Sequence, residues 1–189
     1  GHGRKRRSLA AELILALDQS ASMGASVVHA GVLAAGLASI PTLQTRVIAF
    51  DTSLVDLTDE LHDPVDVLFG IQLGGGTDID QALGYCQTLV DTPAKTVLVL
   101  ISDLYEGGDA ESMLRRAAAL IRSGVRLIVL LALADDGAPS HDHRLAAALA
   151  ALGAPVLACT PDRFPEMLAA ALEGRDVRAW AADEGIPVA

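Results

Sequence analysis

Short apolar runs alternate along nearly the whole chain with segments of helical spacing, and that alternation constrains the fold more than any other feature. The runs are Leu13–Leu17, Thr45–Phe50, Ser53–Leu57, Thr96–Ile101, Val125–Leu133 and Pro155–Cys159. Several are continuous rather than alternating, as in strands covered on both faces. Between them lie helical patterns. Ala25–Ser39 places Val28, Val32 and Ala35 on one side. The helix opened by Thr77 or Asp78 carries Ile79, Leu83, Cys86 and Val90, and the helix capped by Asp109 carries Leu114, Ala118 and Ile121. Further helices are expected from Asp63-Pro64 to Phe69, over Arg144–Leu152 behind a Ser140 or Asp142 cap, and from Pro161-Asp162 to Glu173-Gly174. Strand–helix alternation demands right-handed crossovers and a mostly parallel, doubly wound α/β sheet with helices on both faces. The tight Asp51-Thr52 connection permits only an antiparallel neighbour, so Ser53–Leu57 forms a hairpin with the second strand.

A chain of 189 residues fits one domain, and it buries enough surface to need no disulfide staple. With 51% hydrophobic but only 3% aromatic residues, the core is built of Leu, Val, Ile and much Ala. Cys86 and Cys159 stand in apolar surroundings without a CxxC spacing and read as reduced, buried thiols, which fits a cytoplasmic location. A net charge of −10 argues against nucleic acid as a partner, because phosphate contacts dominate such affinity. The longest strongly apolar stretch, Val125–Ala134, falls far short of a bilayer span, and no export signal is visible. Residues 1–11, with Arg4-Lys5-Arg6-Arg7, read as a basic flank and possible junction to an upstream region, 12–174 as the domain, and 175–189 as a loosely docked tail that Trp180 anchors.

Oxygen-bearing side chains gather where the strands should end. Asp18-Gln19-Ser20-Ala21-Ser22 follows the first run, Gly74-Gly75-Gly76-Thr77-Asp78 opens a helix, and Ser102-Asp103 closes the fourth run. Loops at the carboxyl edge of an open α/β sheet meet where strand order reverses. With the first and fourth strands as neighbours, Asp18, Ser20, Ser22, Thr77 and Asp103 converge as two carboxylates and three hydroxyls. An all-oxygen set suits Mg²⁺ or Mn²⁺ better than Zn²⁺ or Cu²⁺. Residues two apart in Asp18-x-Ser20-x-Ser22 project to one side, and the glycines let the backbone approach closely. A plain helix N-cap needs one Ser or Asp, and does not account for Thr77 and Asp103. A phosphate cradle lacks its lysine, since Asp78 follows Thr77.

Asp18-Gln19-Ser20-Ala21-Ser22, Thr77 and Asp103 together resemble the metal-ion-dependent adhesion site (MIDAS) of von Willebrand factor A-type (VWA) domains. The likeness runs from about Leu13 to Leu172. It implies a Rossmann-like, six-stranded sheet with one antiparallel edge strand, and Mg²⁺ or Mn²⁺ coordination by Asp18, Ser20, Ser22, Thr77 and Asp103. It also implies a binding module rather than an enzyme, completed by a carboxylate of a partner protein. The compact, cysteine-poor chain is similar to bacterial intracellular members, expected as monomers, that work beside MoxR-type AAA+ ATPases. Two positions depart from the common pattern: Ala21 and Leu104 stand where many members carry glycine.

The competing reading is a Mg²⁺-dependent phosphoryl-transfer hydrolase of the haloacid dehalogenase type, with Asp18 as nucleophile. That chemistry needs a second Asp where this chain has Ser20, and a lysine near the phosphate, whereas Lys5 and Lys95 are the only lysines. His141-Asp142-His143 reads as an exposed loop leading into a helix rather than a second metal site, and Asp56, Asp59, Glu60, Asp63 and Asp66 as a solvated acidic face. Asp78, Asp80, Tyr105 and Glu106 are expected at the rim of the metal loops, with Asp80 holding loop ligands by hydrogen bonds.

Overall fold

A computed structural model describes residues 9–19, 24–63, 76–131 and 141–189 of the chain. Its strands are β1 (Glu12–Asp18), β2 (Gln44–Phe50), β3 (Leu54–Asp56), β4 (Thr96–Ser102), β5 (Arg126–Leu131) and β6 (Val156–Ala158). The described helices are α1 (Gly24–Leu37), α2 (Ile79–Leu89), α3 (Ala110–Ser123), α4 (His143–Ala151), α5 (Phe164–Leu172) and α6 (Val177–Asp183). The strand order is β3-β2-β1-β4-β5-β6, parallel except for β3. This is the Rossmann-like mixed sheet expected, with β1 beside β4 where the order reverses.

Every residue of β1 and of β4 is buried, because helices cover both sheet faces. Alternate side chains of β1 feed two separate cores. Leu13, Leu15 and Leu17 join Ala30, Ala34, Phe164, Met167 and Trp180 on one face. Ile14 and Ala16 join Ile79, Leu83, Cys86, Met113 and Leu149 on the other. Side-chain alternation along a strand is what lets one apolar run serve both layers.

Local caps set where the helices begin. Asp78, Asp109 and Asp142 each accept the N–H three residues on, at 2.9–3.0 Å. Gly124, at φ 110°, ends α3 in the left-handed conformation that an L side chain resists.

Several expectations shift. Val28 and Val32 are 39% and 46% exposed, and Ala30 and Ala34 pack on the sheet instead. The helix is apolar nearly all round, so the spacing of Val28, Val32 and Ala35 marks the wrong face for the two valines, while Ala35 is buried. In α3 the buried row is Met113, Ala117 and Leu120, with Leu114 and Ile121 flanking it. The buried row therefore lies one position N-terminal of the expected Leu114, Ala118 and Ile121. The β2–β3 connection is Asp51-Thr52-Ser53, closed by the Asp51 carboxylate accepting the Ser53 N–H at 2.7 Å. A 3₁₀ turn at Thr58–Glu60 was not expected. The helix expected from Asp63-Pro64 to Phe69 and the end of the fifth apolar run lie outside the described residues, save Asp63 itself.

The largest correction concerns residues 175–189, which are folded rather than loosely docked. Asp176 caps α6, Trp180 is 7% exposed, and Val188 bridges Leu157 of β6 in antiparallel fashion. Backbone bonds Ala158 N–H to Pro187 O and Ala189 N–H to Val156 O, both 2.9 Å, cover that sheet edge. Arg163 lies 5.9 Å above the Trp180 ring and pairs with Glu184 at 2.9 Å. The segment lacks a long periodic stretch because its helix is only seven residues, too short for a pattern to emerge.

Both cysteines are free and buried. Burial pushes each thiol up to about 12, chiefly by desolvation; the Asp56 charge adds to it at Cys86, while at Cys159 the Arg163 charge opposes it. Among the described residues no helix is long and apolar enough to cross a membrane.

Two outcomes follow for solution work. Trp180→Ala is expected to lower urea stability by about 3–5 kcal/mol, whereas a loss below about 1 kcal/mol would mean the C-terminal segment is dispensable. At pH 8, some four units below the native thiol values, a disulfide reagent is expected to label neither cysteine of the folded chain and both in urea. Labelling of the native protein at the rate of a free thiol contradicts the burial.

Candidate metal centre at the carboxyl edge of the sheet

β1 ends by carrying Asp18 to the carboxyl edge, opposite Phe50 of β2, with Leu17 opposite Ile101 of β4. Asp18 is fully buried. A carboxylate in such a place must be hydrogen-bonded or matched by a cation, since an isolated one costs several kcal/mol. One bond comes from β4: the Ser102 hydroxyl donates to Asp18 Oδ2 at 2.7 Å. The next residue, Gln19, donates its N–H to Phe50 O at 2.8 Å, so the start of the first loop is tied to β2 as well.

Asp103 follows at the end of β4 and is buried at 6% exposure. Its carboxylate accepts the Tyr105 N–H at 3.3 Å, and its carbonyl accepts the Asp142 N–H at 3.0 Å. The chain then turns through Leu104, the only non-glycine residue with positive φ (67°) among the described residues. Its side chain is fully buried in the core shared with α2, α3 and α4. A left-handed leucine costs roughly 1–2 kcal/mol, while burial of the side chain returns roughly 1.5–3 kcal/mol, so packing holds the turn. Leucine thus occupies a conformation for which glycine is the usual residue.

Thr77 reaches the same edge from the loop before α2 and is buried. It is held from both sides. Its carbonyl accepts the Gly107 N–H at 2.8 Å, and the adjacent Asp78 N–H donates to Asp51 O at 2.9 Å. Asp51 extends β2 and Gly107 follows β4, so Thr77 is suspended over the ends of the β2–β1–β4 trio. A Cβ on Gly107 would lie 3.0 Å from Thr77 O, which accounts for glycine there.

The brace between the second and third loops is Glu106. Its carboxylate accepts the Ile79 and Asp80 N–H groups at 3.0 and 2.9 Å, at the positive end of α2, and the Gly108 N–H at 3.2 Å. Glu106 was expected at the rim, and the geometry makes it an internal clamp. Among the described residues Asp80 holds no candidate ligand, and its carboxylate accepts a bond from Arg116 Nε of α3 at 2.7 Å. Asp78 is the α2 cap, and Tyr105, half exposed, remains at the rim.

Of the five candidate ligands, Asp18, Thr77 and Asp103 therefore stand at one sheet edge, on loops cross-tied by backbone bonds. Ser20 and Ser22, with Gly74 and Gly75, lie outside the described residues. Among the described residues no three His, Cys, Asp or Glu side chains form a metal-holding group. The candidate centre depends instead on two carboxylates supplemented by hydroxyls, a hard, oxygen-only set that fits a divalent cation of the Mg²⁺ type. The His141 and His143 ring centroids lie 4.1 Å apart at the start of α4, tilted by 50°, with Asp142 serving as its cap.

Ser102 and Glu106 carry the side-chain ties at this edge, and the sequence alone marks Ser102 as an oxygen donor at the strand end and neither residue as a support for another. The S-D pair at the strand end and the acidic residue three positions on were the available signals.

The family model described as "VWA domain containing CoxE-like protein" matches residues 2–168. The protein YehP of Escherichia coli K12 is 42% identical over 169 residues, which cover 89% of this chain and 45% of that protein. The chain thus spans about half the length of this relative. Among solved structures, the vWF domain of the type V pili tip protein Mfa5 from Porphyromonas gingivalis aligns with a TM-score of 0.62 at 12% identity, over 95% of this chain and 97% of that one. Proximal thread matrix protein 1 of the mussel byssus, solved with a zinc-occupied MIDAS motif, aligns at 0.51 and 16% identity, over 79% of this chain and 49% of that one. Parallel sheet, antiparallel edge strand and matched span agree, and the chain belongs to the CoxE-like family of VWA domains.

Proposed function

We propose that this domain is a metal-dependent protein-binding module, in which Asp18, Ser20, Ser22, Thr77 and Asp103 hold a Mg²⁺ or Mn²⁺ ion that a partner's acidic side chain completes. The observation that carries the reading is the cross-tying of three strand-end loops around the end of β1, through Ser102–Asp18, Gly107–Thr77 and Asp78–Asp51. Such ties cost conformational freedom at a surface, and they hold two buried carboxylates and a hydroxyl at one edge. A zinc-occupied MIDAS in a protein of the same fold supports a divalent cation, while the hardness of this donor set favours Mg²⁺ or Mn²⁺ over zinc.

A bound divalent cation supplies an electrophilic seat for an oxygen anion. Around it the chain's own groups divide the work. Asp18 and Asp103 contribute charge, the hydroxyls contribute neutral donors that leave net positive charge for the partner, and Tyr105 offers exposed contact surface. The partner is then a protein presenting a carboxylate, and a MoxR-type AAA+ ATPase or its client is the candidate by family. The two reduced thiols agree with a cytoplasmic setting.

Titration with Mn²⁺ in a calorimeter tests this. Wild type is expected to take up one equivalent and Asp18→Ala none. At about 100-fold excess over Kd the metal should raise wild-type stability by about 2.7 kcal/mol and leave Asp18→Ala unchanged. Absence of uptake by folded wild type overturns the proposal. Assay with a generic aryl phosphate tests the enzymatic alternative: no turnover is expected, and Mg²⁺-dependent turnover lost in Asp18→Asn would replace the binding reading with a hydrolase.

A further inference from the structure

Ser102 is fully buried at the end of β4, and its single oxygen makes two bonds. It donates to Asp18 Oδ2 at 2.7 Å and accepts the Leu104 N–H at 3.0 Å. The first bond crosses from β4 to β1, and the second spans the residue between, Asp103. One hydroxyl therefore touches the carboxylate of one candidate ligand and fixes the turn that carries another. Resting on the metal reading above, we infer that Ser102 is a positioning residue for the centre, setting the carboxylate of Asp18 and the backbone turn at Asp103 together.

An O–H donated to a carboxylate at 2.7 Å is charge-assisted and directional, and it fixes the torsion of the Asp18 carboxyl group. The Leu104 N–H that enters the same oxygen polarises the hydroxyl, so the chain N–H to O–H to carboxylate strengthens each member. The turn itself needs such a tie, since Leu104 holds φ at 67° in a region that non-glycine residues resist. Its carbonyl accepts the Glu106 N–H at 2.8 Å, which leads directly into the Glu106 clamp on α2. Removing the Ser102 oxygen thus leaves two buried groups without this partner, on the two sides of the centre. A carboxylate and a turn that have each lost this tie are less well set for the cation, and the cost of setting them appears as lost affinity.

A purely structural serine would lower stability and leave metal affinity unchanged, which separates the two roles. Mn²⁺ affinity is measured by calorimetry for wild type, Ser102→Ala, Ser102→Cys and Ser102→Thr, with urea stability of each in EDTA. Ser102→Cys preserves the shape and lacks a strong donor, so it carries the test if Ser102→Ala fails to fold. The expected result is a loss of about 10-fold or more in affinity for Ala and Cys, with Thr restoring most of it. Affinity within about two-fold of wild type in folded Ser102→Ala or Ser102→Cys overturns the inference while leaving the metal centre standing. Failure of wild type itself to bind Mn²⁺ overturns the centre, and this role with it.

Discussion

The hydrogen bond between Ser102 and Asp18 sits where every other feature of the domain converges. It requires β1 and β4 to be neighbours, which requires the crossovers that place helices on both faces. Those helices bury both strands completely, so the carboxylate at the end of β1 arrives in a dry site with its direction already chosen. The strand order, the two cores and the loop ties are in this sense one construction. The sheet delivers Asp18, β2 and β4 supply the anchors for Thr77, and the α2 amino end takes the Glu106 clamp.

At the carboxyl edge the described loop ends are tied to their neighbours, Gln19 to Phe50, Asp78 to Asp51 and Gly107 to Thr77. Leu104 illustrates the balance of forces. A residue in an unfavourable backbone region is retained because its side chain fills the core beneath α2 and α3. The position holds the loop by packing, where a glycine would hold it only by permissiveness.

Much of this was legible in the amino-acid order. Continuous apolar runs reported strands covered on both faces, Asp109 and Asp142 announced helix starts, and the D-x-S-x-S string pointed to the edge where Asp18 now stands. What escaped was whatever depends on relations between elements. The face of α1 marked by Val28, Val32 and Ala35 is only partly the covered one, because nearly all its sides are apolar and Ala30 and Ala34 pack against the core instead of the valines. The C-terminal segment hid because α6 is short and its final residues bond to β6 through backbone alone. Glu106 reads from sequence as a residue of the loop rim, since only the fold brings it against the N–H groups of Ile79 and Asp80.

The central claim is that Asp18, Thr77 and Asp103 share one cation with the serines of the first loop. Crystals grown in Mn²⁺ and measured for anomalous scattering test it most directly. The account predicts a single strong peak within bonding distance of Asp18 and the Ser20 and Ser22 hydroxyls, with Thr77 and Asp103 bonded directly or through water. A peak elsewhere on the surface, or no peak at saturating Mn²⁺ with these side chains well ordered, would contradict it.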